Sequence, residues 1–195
     1  MRRSVLALLV AFASLGVVAQ VDHLVISQVY GGGGNAGAPY TSDFVELFNP
    51  TGSAVSLSGM SVQYASTSGL PSAGTSTNLP AVSIPPGRYF LVQMATGANG
   101  VALPTADHTA SGINMSATNG KVYLVNSTSL ITACPPGATV VDFIGFGTAN
   151  CAEGTASAAG SNTTAQIRAA AGCTDADANN SDFAVSAPPP RNSAT

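Results

Sequence analysis

The chain has 195 residues, of which 8% are charged, and carries six Lys and Arg against nine Asp and Glu for a formal net charge of −3. A protein that binds a phosphate backbone neutralises several charges with clustered Lys and Arg, so this composition argues against electrostatic binding of nucleic acid. The length allows one domain of ordinary size, with or without a tail.

The first 19 residues have the pattern of a secretory signal peptide. Arg2 and Arg3 form a positive n-region, positions 5–18 are apolar, and small residues precede a cleavage point after Ala19. The apolar run is shorter than the roughly 20 residues that span a bilayer, and no later segment is long and apolar enough to do so. We therefore predict export to the exterior or periplasm and no transmembrane segment.

The mature chain shows strand-like runs without helical periodicity. Short segments rich in Val, Ile, Leu and aromatic residues are bounded by Gly, Pro, Asn and Ser, which is typical of antiparallel β domains. The predicted strands in chain order cover residues 24–30, 44–48, 57–64, 79–84, 88–93, 121–125, 139–146 and 163–168.

Three long polar loops separate these strands, at 31–42, 65–78 and 96–117. Loops of this length are usually functional or mobile. The first begins with four consecutive glycines but lacks the Gly-Lys-Ser/Thr ending of a phosphate loop, and no helix follows it. We predict a flexible connector there, and the alternative is a binding loop at one end of the sandwich.

Two acidic residues flank the Phe44-Val45 step of the second predicted strand. Asp43 and Glu46 are three positions apart, so they lie on opposite faces and cannot converge as a general acid and base without a bulge. We expect a structural role for Glu46, which shares a face with Phe44 and Phe48.

The order of these pieces resembles that of the lamin-tail domain family. The matching segments are ISQVYGGGGN, DFVELFNP, LSGMSVQYAS, PPGRYFLVQ, VVDFIGFG and GCTDADANNSDF with PPPRNS. The resemblance implies an all-β, immunoglobulin-like antiparallel β-sandwich over residues 20–187. In bacteria such domains are often fused to secreted nucleases, phosphatases or surface-anchored proteins, as accessory or binding modules. Residues 188–195 are predicted to form a flexible Pro-rich tail.

The densest polar cluster of the sequence predicts a weak calcium site. Oxygen-bearing side chains at Asp175, Asp177, Asn179 and Asp182 occupy relative positions 1, 3, 5 and 8. The first three match the start of an EF-hand loop, but the twelfth position, which needs Glu, is Ser186, so a complete EF-hand is excluded. The alternative is a turn held by Asx side-chain bonds to the backbone. No other cofactor is predicted.

Catalytic signatures are absent from the sequence. His23 stands near the predicted mature N-terminus and His108 stands alone in a loop. No G-x-S-x-G, H-E-x-x-H or zinc-spaced cysteine pair is present. These observations predict a protein that is not an enzyme.

Three cysteines in an exported chain predict one disulfide and one remaining thiol. If strands 139–146 and 163–168 are antiparallel neighbours, Cys134 and Cys173 lie at the same end of the pair and Cys151 at the other. Eight strand residues span about 26 Å, whereas a disulfide allows only about 6 Å between Cα atoms. We therefore predict a Cys134–Cys173 bridge, with Cys151 free or paired intermolecularly, unless the loop around Cys151 folds back.

The leading hypothesis is an exported, non-catalytic β-sandwich that binds or adheres to an unidentified extracellular protein or surface ligand. The alternative is an accessory domain of a secreted nuclease or phosphatase system, acting in trans or left from a fusion. A direct nucleic-acid binder is a third possibility, opposed by the acidic charge.

Overall fold

The computed structural model describes residues 21–195. The predicted signal peptide, residues 1–19, lies outside them. Within this described range no helix combines the length and apolar character needed to cross a bilayer. The strands of residues 21–195, in chain order, are β1 (Val25–Tyr30), β2 (Ser42–Phe48), β3 (Val55–Ser56), β4 (Ser61–Ala65), β5 (Ser76–Asn78), β6 (Ser83–Ile84), β7 (Tyr89–Thr96), β8 (His108–Thr109), β9 (Gly120–Val125), β10 (Val140–Phe146), β11 (Ala165–Arg168) and β12 (Phe183–Ser186).

Two main sheets contain most of these strands. One has the order β12-β11-β1-β2-β7-β8, the other has the order β10-β9-β4-β5, and β3 pairs separately with β6. Every pairing is antiparallel except that of β7 with β8. The predicted all-β antiparallel sandwich is confirmed.

Each predicted strand overlaps an observed one, but four of the observed strands were not predicted from the sequence. Three of these, β3, β5 and β8, have only two or three residues, too few to show an alternating pattern. The fourth, β12, is defined by its pairing with β11. Between residues 21 and 195 the remaining regular structure consists of two 3₁₀ turns, Ala73–Thr75 and Ala170–Gly172, and one short helix, α1 (Asn179–Asp182).

The core lies between the two main sheets and follows from strand alternation. On β2, Val45 and Leu47 point inward and are fully buried, and Val122 and Leu124 of β9 face them from the other sheet. A second apolar cluster lies on the outer face of the four-stranded sheet, where Tyr123 packs with other side chains beneath nearby loops.

The disulfide joins Cys134 to Cys151, with a Cα–Cα distance of 6.0 Å, and Cys173 is an exposed free thiol. The predicted Cys134–Cys173 bridge is therefore wrong. The two strands that we assumed to be neighbours belong to different sheets, since β10 pairs with β9 and β11 pairs with β1 and β12. After β10 the chain folds back along that strand, and Ser157 N–H donates to Gly145 O at 3.0 Å.

The C-terminal residues pack against the six-stranded sheet, contrary to the predicted flexible tail. The Arg191 guanidinium donates to Glu46 Oε1 at 2.8 Å and to the Tyr89 hydroxyl at 2.6 Å. Asn192 and Ser193 bond to Thr105 and Asp107 in a neighbouring loop. These contacts could not be predicted from local sequence patterns because they join residues far apart in the chain. The expected structural role of Glu46 is confirmed, since its side chain is buried and paired with Arg191.

Candidate functional site

Four connections meet at one end of the sandwich, where β1 ends and β2 begins. They comprise residues 31–41, 97–106, 110–119 and 157–164, and we call this surface the loop end. Backbone bridges join the first two of them, since Gly34 pairs with Asn99 and Tyr40 pairs with Val101. Two of the three long loops predicted from the sequence, 31–42 and 96–117, thus contribute to one ordered surface, whereas the loop at 65–78 lies outside it.

Glycines at the loop end allow two backbones to meet. Gly34 has φ of 72°, and a Cβ built on it would lie 2.2 Å from Gly97 Cα. Gly100 has φ of 103°, and its Cβ would meet the Tyr40 backbone at 2.4 Å. Any larger residue would separate these segments. The four-glycine run is therefore a packing element, and the prediction of a flexible connector is wrong.

A buried carboxylate forms the floor of the loop end. Asp43 Oδ1 accepts from Gly33 N–H and Oδ2 from Met115 N–H, both at 2.8 Å. Burial raises the pKa of Asp43 to about 6, although the two N–H donors act in the opposite direction. Asp43 thus ties the glycine-rich connection to residues 110–119.

The surface above this floor is neutral and rich in amides. A cleft of about 120 Å³ is lined by Gly33, Gly34, Asn35, Ala95, Thr96, Gly97 and Asn114. Asn35 and Asn114 are exposed, and Val101 nearby is 65% exposed. The four connections contain no Asp, Glu, Lys, Arg or His. The loop end therefore presents hydrogen-bonding groups without formal charge.

A second polar cluster lies inside the sandwich, around Arg168. Its guanidinium contacts both oxygens of Asp142, at 2.6 and 2.7 Å, and its Nε donates to Ile26 O at 2.9 Å. Asp142 Oδ2 accepts from Ile26 N–H. The pairing of β1 with β11 ends at Gln28 and does not include Ile26. The side chains of Arg168 and Asp142 therefore form the hydrogen bonds to the backbone O and N–H of Ile26.

The Arg168 cluster contains more carboxylates than cations. Arg168 Nη1 lies 3.0 Å from Asp175 and 3.9 Å from Asp182, and oxygens of Asp142, Glu153 and Asp175 lie within 4.8 Å of one another. Burial, together with the charges of Asp142 and Asp175, raises the pKa of Glu153 to about 8. Such a shift means that Glu153 holds a proton at neutral pH.

The four predicted calcium ligands lie in this region but contact different partners. Asn179 Oδ1 accepts from Gly145 and Glu153 N–H groups, at 2.8 and 3.1 Å. Asp182 Oδ2 accepts from the backbone of residues 176 and 178, both at 3.0 Å. Asp177 has φ of 51° and its N–H approaches Asp175 Oδ1 at 3.5 Å, as in the Asx turn that we considered as the alternative.

Of the four, only Asp175 belongs to the group of three close carboxylates. Calcium binding stays a prediction. A melting curve in chelator and in added calcium, repeated with Asp177→Ala, tests it by mass action.

Both histidines have structural partners. His108 Nε2 lies 2.9 Å from the Thr77 hydroxyl, which joins β8 of one sheet to β5 of the other. Burial lowers the pKa of His108, so the ring is neutral at pH 7. His23 Nε2 lies 3.4 Å from Asp175. The two rings are thus assigned to separate contacts and do not share a site.

Three of the four basic residues between 21 and 195 are engaged within the fold. Arg168 and Lys121 are buried, and Arg191 pairs with Glu46. The Lys121 ammonium donates to Gly69 O at 2.8 Å and to Asn150, and burial lowers its pKa. Arg88 is exposed and has no ion pair in this part of the chain.

Two largely antiparallel sheets that face one core, with connections gathered at their ends, define an immunoglobulin-like β-sandwich. Residues 18–185 match the lamin tail domain, and the chain belongs to that family. No curated protein matches the chain in sequence.

Sequence reasoning missed the Arg168–Asp142 pair and the burial of Lys121. A signal for Arg168 existed, because its alternation with Gln166 on a strand places both side chains on the inner face. No such signal identified its partner, which lies 26 positions away on the other sheet.

Proposed function

We propose that this protein is an exported, non-catalytic lamin-tail module that binds an extracellular ligand through the loop end. The observation that carries the proposal is the ordered, neutral loop end itself, with its cleft and the 65% exposed Val101. Rigid scaffolds commonly present binding residues on loops at one end. The family membership supports a β-sandwich module, and the predicted signal peptide supports export.

The partners of the charged residues support a binding role over nucleic-acid recognition. Arg168, Lys121 and Arg191 are already engaged in internal contacts, which leaves Arg88 as the exposed cation of residues 21–195. Binding to phosphate backbones requires several accessible cations. An accessory role beside a secreted nuclease or phosphatase stays the alternative. In that case the loop end would bind a ligand that such an enzyme also binds.

The test is binding of fluorescently labelled mature protein to intact cells and extracellular material of the source culture. We expect saturable binding that Val101→Asp reduces. Val82→Asp is the matched control, because Val82 is 45% exposed and lies outside the loop end. Absence of saturable binding, or equal loss in both variants, contradicts the proposal. Melting curves verify that each variant is folded.

A further inference from the structure

We propose that the loop end binds a neutral polysaccharide, with the carboxamides of Asn35 and Asn114 among its principal contacts. This inference rests on the proposed function and deepens it by naming the class of ligand.

The charge distribution is the first argument. Connections 31–41, 97–106, 110–119 and 157–164 carry no ionisable Asp, Glu, Lys, Arg or His. Asp43 beneath them is 1% exposed and its oxygens are occupied by Gly33 and Met115. A charged ligand would find no counter-charge on this surface, whereas a neutral one does not require it.

The hydrogen-bonding groups are the second argument. A carboxamide both donates and accepts, and so does a sugar hydroxyl, so each can satisfy the other. Asn114 is exposed and its side chain makes no hydrogen bond within residues 21–195, and Asn35 makes one long contact, 3.3 Å, with Asn162. Both amides line the cleft and are available to a ligand.

The rigidity of the cleft is the third argument. Gly34 lies against Gly97, and Asn99 Nδ2 donates to Gly34 O at 3.0 Å. The cleft walls are thus fixed by backbone packing before any ligand arrives. A preformed site loses less entropy on binding, which matters for a ligand held by neutral hydrogen bonds.

A protein ligand is less well matched to this surface. Binding hot spots in protein interfaces are enriched in Trp, Tyr and Arg around a desolvated centre. The loop end contains no Trp and no Arg, and Tyr40 is partly covered. Of the four large exposed hydrophobic residues in the described range, only Val101 lies there.

Affinity electrophoresis of the mature protein tests the inference. Native gels contain dextran, mixed-linkage β-glucan or soluble starch as neutral polymers, and alginate as the anionic comparison. We expect at least one neutral polymer to retard the protein equally at low and high salt. The double variant Asn35→Ala/Asn114→Ala should weaken this retardation by about tenfold or more, as expected when hydrogen-bonding side chains are removed.

Asn126→Ala is the matched control. Asn126 is an exposed asparagine that follows the C-terminal residue of β9, at the opposite end of the sandwich, so its loss should leave retardation unchanged. The inference is overturned if no neutral polymer retards the protein, if the double variant behaves like the native chain, or if alginate alone acts and salt abolishes it. If labelled protein binds cells in a manner that Val101→Asp reduces, but no polysaccharide retards the protein in the gel, the polysaccharide inference is contradicted and the proposed function is not. If both assays fail, both fall.

Discussion

Arg168 on β11 and Asp142 on β10 form a buried ion pair that joins the two sheets, with Nη2 lying 2.6 Å from Oδ2 and both side chains at 0% exposure. The two strands are not hydrogen-bonded to each other, since they belong to different sheets. The pair therefore closes one side of the sandwich, as the His108–Thr77 contact does on the other side.

We expect Arg168→Met to destabilise the fold strongly. It leaves Asp142 and Asp175 buried without their cation, a loss of about 3–5 kcal/mol in the free energy of unfolding. Urea denaturation measures it. The double variant Arg168→Met/Asp142→Leu should recover part of the loss, since both buried charges of the pair are removed. Arg88→Met, at an exposed site, should change stability by only about 0.5 kcal/mol or less, and an equal effect at both sites would contradict the assignment.

Glu153 makes stability pH-dependent. Its pKa is raised from 4.5 to about 8 in the folded protein, so the folded state holds a proton that the unfolded state releases. The stabilisation is present below pH about 4.5 and is lost as pH rises towards about 8. We expect the melting temperature of the native chain to fall over this window more steeply than that of Glu153→Gln. Parallel profiles for the two proteins would show that Glu153 ionises normally.

The disulfide assignment predicts a single cross-linked peptide pair. Mapping without reduction should recover Cys134 linked to Cys151, and Cys173 should react with an alkylating reagent before unfolding because it is exposed. The bridge joins residues 17 positions apart, and a loop of this size contributes about 3 kcal/mol in the chain-entropy treatment. Replacing both bridged cysteines with Ser should cost about that amount, whereas Cys173→Ser should be nearly neutral. Recovery of a Cys173-containing disulfide would refute the pairing.

The docked C-terminal residues should contribute to stability through Arg191. Arg191→Ala removes the cation that contacts Glu46 and packs 3.8 Å above the Tyr89 ring. Leaving a buried carboxylate without this partner costs about 1–3 kcal/mol. Denaturant titration of Arg191→Ala against Arg88→Ala separates this effect from simple loss of charge. Equal stability of the two variants would indicate that residues 188–195 do not stay bound.

Export predicts a defined N-terminus. Material collected outside the cells should have the intact mass of a chain that begins at Gln20, or that mass less one molecule of ammonia if the N-terminal glutamine cyclises to pyroglutamate. This outcome follows from the positive n-region, the apolar segment and the small residues before the cleavage point. Extracellular protein that retains Met1 would contradict cleavage, and its absence from the exterior would contradict export.

The local pattern of the sequence determined the fold class and most strands. Alternating apolar residues such as Val45 and Leu47, and turn residues such as Pro85 and Gly87, act within a few positions of one another. Their physical effects are short-range, so a single sequence displays them. The same reasoning placed Glu46 in a structural role, because face alternation is fixed by the strand itself.

Only the tertiary structure decided which strands share a sheet and which distant segments pack together. The wrong predictions of the disulfide and of the flexible tail follow from that. Cys134 pairs with Cys151 because β10 and β11 lie in different sheets and the chain folds back after β10. Residue 191 is held by Glu46, 145 positions away in sequence. The loop end likewise assembles from four separate connections. Such contacts depend on which side chains are brought together when the two sheets pack. The spacing of residues within one segment carries no information about that packing.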